Sequence, residues 1–153
     1  MLTLDANDRA LLRQLQARPD LGLPDLAHAA GLTPTTAARR LARLEKAGVI
    51  EGYERRIDFR ALGYEVGVSL RVTLDKTQPN AFDAFINEAR KIPEVNEIQT
   101  FLGRVDVRLN VLAHDMQHYQ EIYRNRILTL PHISDIEALM QIGTVKNSES
   151  LPL

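Results

Sequence analysis

The chain contains no cysteine among its 153 residues. That excludes disulfides, thiol nucleophiles and cysteine-ligated zinc, and it is compatible with a reducing compartment. No apolar run approaches the ~18 residues expected of a membrane-spanning helix. The opening MLTLDANDRALLRQL carries acids and lacks the apolar stretch of a secretory leader, so a cytoplasmic location is expected. There is no glycine-rich loop to cradle phosphates and no HExxH pair. No serine stands in a nucleophile-elbow pattern, and no nucleophile–base pair can be assembled. No segment is low in complexity.

What is present suits a globular protein of one ordinary domain or two small ones, with 44% hydrophobic and 25% charged residues. Net charge is only −1, but it is unevenly spread. Residues 1–60 hold 10 Lys/Arg against 8 Asp/Glu, while residues 61–153 hold 9 against 12. A mildly basic first part on an acidic remainder suggests separate jobs.

The first part reads as three helices. Residues 5–17 carry Asp5 as N-cap and a stripe of Leu11, Leu12 and Leu15, ended by Pro19. A short helix fits Pro24–Ala30 with Leu26, Ala27 and Ala30 inward, and Gly31 turns the chain. Thr33-Pro34 opens a third helix that runs to about Ala47 and ends at Gly48. Two helices joined through a glycine-containing turn are the helix-turn-helix signature. Val49–Asp58 then reads as a small hairpin or extended arm.

From Val66 the apolar period changes from helical to two. Val66, Val68, Leu70, Val72 and Leu74 alternate with small or polar residues, as do Val105, Val107, Leu109 and Val111. Further strands fit Val95–Leu102 and His132–Ile142, the last with Ile136, Ala138, Met140 and Ile142 inward. A helix over Asn80–Lys91 presents Phe82, Phe85, Ile86 and Ala89, and another over Asp115–Leu128 presents Met116, Tyr119, Tyr123 and Ile127. The predicted fold is therefore α+β. A winged helix-turn-helix domain (1–58) and a linker (59–65) precede a ferredoxin-like βαββαβ domain (66–153). One sheet face is left uncovered by helices. It would carry Arg71, Thr73, Gln99, Phe101, Arg108, Asn110 and Leu139, a mixed surface that either pairs sheet to sheet with a second copy or is solvated.

On a wheel at ~100° per residue, Ala37, Leu41 and Leu44 take the core side of the third helix. Thr35, Arg39, Arg43 and Lys46 take the opposite side, flanked by Thr36 and Arg40. A slim, hydrogen-bonding N-terminal turn followed by a basic ridge is what a recognition helix brings to the major groove. The candidate DNA contacts are Thr33, Thr35, Thr36, Arg39, Arg40 and Arg43, with Arg55 and Arg56 on the arm as phosphate clamps. A solvated helix face is the bland alternative.

The segments LDANDRALLRQLQARP, LAHAAGLTPTTAARRLARLEKAGVIEGY, DVRLNVLAHDMQHYQEIY and LPHISDIEALMQIGTVK span nearly the whole chain. In them it resembles the Lrp/AsnC, or feast/famine, transcription regulators. The resemblance implies a non-enzymatic, sequence-specific regulator that binds double-stranded DNA and associates with the nucleoid. It also implies homodimers built through the C-terminal sheets and assembled further into octamers, and an amino acid or related effector held between sensing (RAM-type) domains. The implied effector loop is Leu102, Gly103, Arg104, Val105 and Asp106. Asp106 would pair with an α-ammonium group. Arg104 stands where the family usually has an acidic or small polar residue, and would receive a carboxylate or reject the usual ligand. Gly103 and Asp106 also suit plain hairpin-turn chemistry. No cofactor is implied, and His114 and His118, four apart with no third ligand nearby, read as surface histidines rather than a metal site. Two other readings share the architecture: an enzyme similar to siroheme decarboxylases, acting on a tetrapyrrole, and an architectural DNA-binding protein without effector.

Overall fold

The computed structural model describes residues 3–146 and 150–153. These divide into two compact units, one formed by Met1–Arg56 with Lys146–Leu153, the other by Ile57–Val145. Residues 57–65 belong with the second unit, where Tyr64 stacks on His114 at 4.1 Å. The tail belongs with the first unit, where the Gln16 side-chain amide donates to the Leu151 carbonyl at 3.3 Å.

The first unit contains α1 (Ala6–Ala17), α2 (Leu23–Ala29) and α3 (Pro34–Lys46). Leu11, Leu26, Ala27 and Ala37 form its buried cluster, with Leu15, Leu21, Ala30, Leu32 and Leu41 packed against it. Gly31 turns α2 toward α3 at φ 70° and Gly48 closes α3 at the same angle, a left-handed conformation that only glycine takes without steric cost. Between α3 and residue 58 no strand forms, so the segment is an arm and the hairpin alternative is set aside.

Among the described residues, Asp8 is the fully buried acid of this unit. Asp5 and Asp8 form a capping box at the start of α1: the Asp8 N–H donates to the Asp5 carboxylate at 2.8 Å, and the Asp5 N–H returns to Asp8 at 3.1 Å. Arg40 of α3 donates to both carboxylates, at 2.7 and 2.8 Å, and Arg43 donates to Asp8. The Asp8 side chain is 0% exposed. Burial alone would push its carboxyl up, but the Asp5 N–H, Arg40 and Arg43 outweigh burial and hold it at about 2.

The second unit contains β1 (Val66–Leu74), α4 (Ala81–Ala89), β2 (Val95–Thr100), β3 (Val107–Ala113), α5 (Met116–Ile122) and β4 (Ile133–Met140). The antiparallel sheet has the order β2-β3-β1-β4, as a βαββαβ chain requires. Val68, Leu70 and Val72 of β1 and Val107, Leu109 and Val111 of β3 are buried, together with Phe85, Ile122 and Ile127 from the helical layer.

Four details depart from the periodic expectation. Phe82 is 44% exposed and Met116 is 41% exposed, each in the first turn of its helix. Ala138 and Met140 align with Leu70 and Val68 but are exposed, because β4 lies at the sheet edge. The helix after Met116 is not uniform either: Tyr123–Ile127 forms a π turn. Residues five apart on an α-helix diverge by ~140°. The wider turn brings Ile122 and Ile127 into one core.

Asp8→Ala should destabilise the first unit by about 3 kcal/mol, because two paired guanidinium groups lose their buried partner. Hydrogen exchange of the α3 amides reads this directly. The Asp8 carboxyl lies lower when folded (about 2) than its ordinary 3.8, so its stabilisation is complete above pH 3.8 and fades as pH falls toward 2. Acid unfolding of the first unit should track that window, and a profile flat through it would contradict the assignment.

Candidate nucleic-acid interface and effector loop

The geometry of α3 sorts the expected DNA contacts. Thr33 is its N-cap, accepting from the Thr36 N–H at 3.3 Å, and the two hydroxyls bond at 2.9 Å. Thr33 is thus committed to starting the helix, and Thr36 is partly tied to it. Thr35 and Arg39 are exposed, on the side opposite buried Ala37 and Leu44, and Arg39 makes no ion pair among the described residues. Arg55 and Arg56 are exposed on the arm.

Arg40 is placed apart from these. Its side chain is only 19% exposed, it is bonded to Asp5 and Asp8, and its Nε is buried without a partner among the described residues. It fastens α3 to α1 and does not extend toward solvent. Arg43 is intermediate: it pairs with Asp8 yet keeps 45% of its side chain exposed. A helix wheel places Arg43 outward and Arg40 on the flank, but it cannot show that α1 brings two carboxylates against them. The signal in the sequence is the D-x-x-D spacing of Asp5 and Asp8 at the start of α1, a capping box that leaves carboxylate oxygens over for a neighbouring helix.

In the second unit, residues 101–106 link β2 to β3. Leu102 is fully exposed and Phe101 is 45% exposed. A Cβ placed on Gly103 would meet nothing within 4 Å, so no close backbone approach in this chain demands glycine there. Arg104 and Val105 are exposed and half-buried, and the Arg104 carbonyl accepts the Thr73 hydroxyl at 3.0 Å. Asp106 already has partners: one carboxylate oxygen accepts the Leu74 N–H at 2.9 Å and the other meets Lys76 Nζ at 3.2 Å. Lys76 is itself 66% exposed, so the second bond is a weak surface pair. Beside it lies a cleft of about 330 Å³ whose lining includes Leu74, Lys76, Asn80, Phe82 and Asp106.

His114 and His118 both have hydrogen-bond partners within the second unit. His114 Nδ1 donates to the Gly63 carbonyl at 2.9 Å, and His118 Nδ1 accepts the His114 N–H at 3.3 Å. Among the described residues no group of three candidate metal ligands exists, and no helix is long and apolar enough to cross a membrane.

A family model described as winged helix-turn-helix DNA-binding matches residues 4–51, and one described as Lrp/AsnC ligand binding domain matches residues 68–151. The chain is 32% identical to a proline dehydrogenase transcriptional activator of Rhodobacter capsulatus, covering 97% of each chain. A transcriptional regulator of Neisseria meningitidis, solved as its L-methionine complex, is similar at TM-score 0.90 and 27% identity, covering 98% of this chain and 97% of that one. A feast or famine regulatory protein of M. tuberculosis, also complexed with L-methionine, is similar at TM-score 0.83 and 28% identity, covering 97% and 99%.

The two neighbouring arginines should separate by experiment. Arg40→Ala should lower the unfolding midpoint and raise hydrogen exchange across α1 and α3. Arg39→Ala should leave both unchanged, since exposed helix residues without partners contribute within about 0.5 kcal/mol.

Proposed function

The chain belongs to the Lrp/AsnC family of transcription regulators, and from that premise we propose that α3 reads a DNA major groove through Thr35, Thr36 and Arg39. The observation that carries this is the split of α3 itself. One side is buried in the helical cluster; the other offers a slim threonine turn and an arginine without an ion pair among the described residues, on the second helix of a helix-turn-helix. Arginine suits a bidentate contact with guanine or phosphate. Arg55 and Arg56 supply phosphate contacts that set position without reading sequence. Two copies are needed to grip a partly symmetric operator. The uncovered sheet face is the surface proposed to join them, with its Arg71–Glu137 and Arg108–Glu97 pairs near the apolar Leu139 and Phe101.

The second unit is proposed to sense an amino acid at the 102–106 loop. The two methionine-bound similar structures make L-methionine the first probe. An α-ammonium group would displace Lys76 from Asp106, exchanging one weakly held cation for another, while the Leu74 N–H keeps the carboxylate oriented. Exposed Leu102 and Phe101 suit a site completed by another copy.

Arg39→Ala should weaken binding to a selected operator by about 10-fold or more, measured by fluorescence anisotropy, without changing size-exclusion behaviour. Unaltered affinity across salt concentrations would remove α3 from the interface. L-Methionine at 100 times its Kd should stabilise the protein by about 2.7 kcal/mol. A thermal-shift series reads this, and Asp106→Asn should abolish the shift. A methionine response that survives Asp106→Asn would move the site elsewhere.

A further inference from the structure

The reading helix carries three arginines, but Asp5 and Asp8 engage two of them inside the unit. We infer that Asp5 and Asp8 are specificity-determining residues: they withhold Arg40 and Arg43 from indiscriminate attraction to phosphate, so that sequence-reading contacts dominate where α3 meets DNA. This rests on the proposed reading of α3 as the DNA-contacting helix.

The argument is electrostatic. Phosphate attraction is the same for every sequence, and each phosphate a cation neutralises adds about 0.9 to the salt slope of binding. A three-arginine ridge would therefore raise affinity for all DNA and blur the difference between operator and bulk duplex. Arg40 cannot join such a ridge without leaving the fully buried Asp8, to which it donates at 2.8 Å. Arg43 is held from the same carboxylate, so its position is fixed and its charge compensated even though 45% of the side chain is exposed. Asp5 adds a second, half-exposed acid on the α1 side.

The test uses the full chain with three substitutions that change net charge equally. Asp8→Asn preserves shape. Asp5→Asn keeps a competent N-cap while removing the charge facing Arg40. Asp20→Asn is the control, since Asp20 is exposed and has no ion pair among the described residues. Binding to a random-sequence duplex and to a selected operator is followed over a range of salt. Asp8→Asn, which frees Arg43 and leaves Arg40 only Asp5, should bind the random duplex more tightly at low salt with a slope steeper by about 0.9, and Asp5→Asn, which leaves Arg40 held by Asp8 alone, should steepen it by a smaller amount. The ratio of operator to random affinity should fall, and the control slope should not move. If Asp8→Asn loses its helical circular dichroism, Asp5→Asn decides. An unchanged slope in folded Asp5→Asn, or equal steepening in Asp20→Asn, overturns the inference. A parent protein that binds no duplex overturns the α3 reading as well, whereas flat slopes alongside an Arg39→Ala defect overturn only the role of the acids.

Discussion

The helical unit depends on one buried carboxylate. Asp8 accepts from its own capping partner and from two arginines of α3, and it is the one fully buried charged group described. A unit this small buries a modest share of its surface, and its cluster rests on Leu11, Leu26 and two alanines. Such a core can hold helices together without fixing how one is rotated about its axis. The ion cluster supplies the missing direction, because guanidinium–carboxylate contacts tolerate little angular error. A buried ion pair is weak evidence for stability, but fixing register is its best-attested use. The rotation of α3 is the quantity that decides which residues a duplex would meet.

The sheet unit solves its packing differently. β1 and β3 are the inner strands and carry the buried valines and leucines, while the edge strand β4 is covered only where Ile133 and Ile136 pack. The helical layer reaches the core through Phe85, Ile86 and Ala89 of α4 and through Tyr119, Ile122 and Ile127 beyond β3. The π turn is what allows Ile127 to join them. On the opposite face, ion pairs and amides cross between strands, as Asn110 does to Asn96 at 2.8 Å. Those pairs keep a polar face ordered without burying it.

Most of this was legible in the sequence, because period two and period 3.6 are local signals. The alternation of Val66 to Leu74 gave β1 its limits, and the Thr33-Pro34 pair gave α3 its start. What was not legible follows from neighbours distant in the chain. Phe82 and Met116 share the helical stripe but lie on first turns that the sheet does not reach. Met140 has the right parity but lies at the exposed end of the edge strand β4. The π turn needs the sheet as a template, since nothing in YRNRI itself breaks an α-helix. At the candidate site, Thr35 and Arg39 were placed by the wheel alone. Arg40 and Arg43 were not, because the carboxylates that engage them lie 32 and 35 residues away in α1. Asp106 shows the same limit: its bond to the Leu74 N–H depends on β3 pairing with β1.

Net charge says little about a surface of this kind. The chain is at −1, yet α3 carries four cations against one acid while acids prevail beyond residue 60. Pairing refines the picture further, since a cation facing a buried carboxylate contributes almost nothing to the field outside. The effective positive surface of α3 is therefore smaller than its sequence suggests and rests on Arg39, Lys46 and the open part of Arg43. A sparse set of cations around a hydrogen-bonding turn favours contacts that depend on the base over contacts that depend only on phosphate. Duplicating that set in a symmetric pair would restore affinity without adding charge to either copy. On these grounds, the assembly proposed for the sheet unit and the economy of charge proposed for α3 would be two halves of one physical solution.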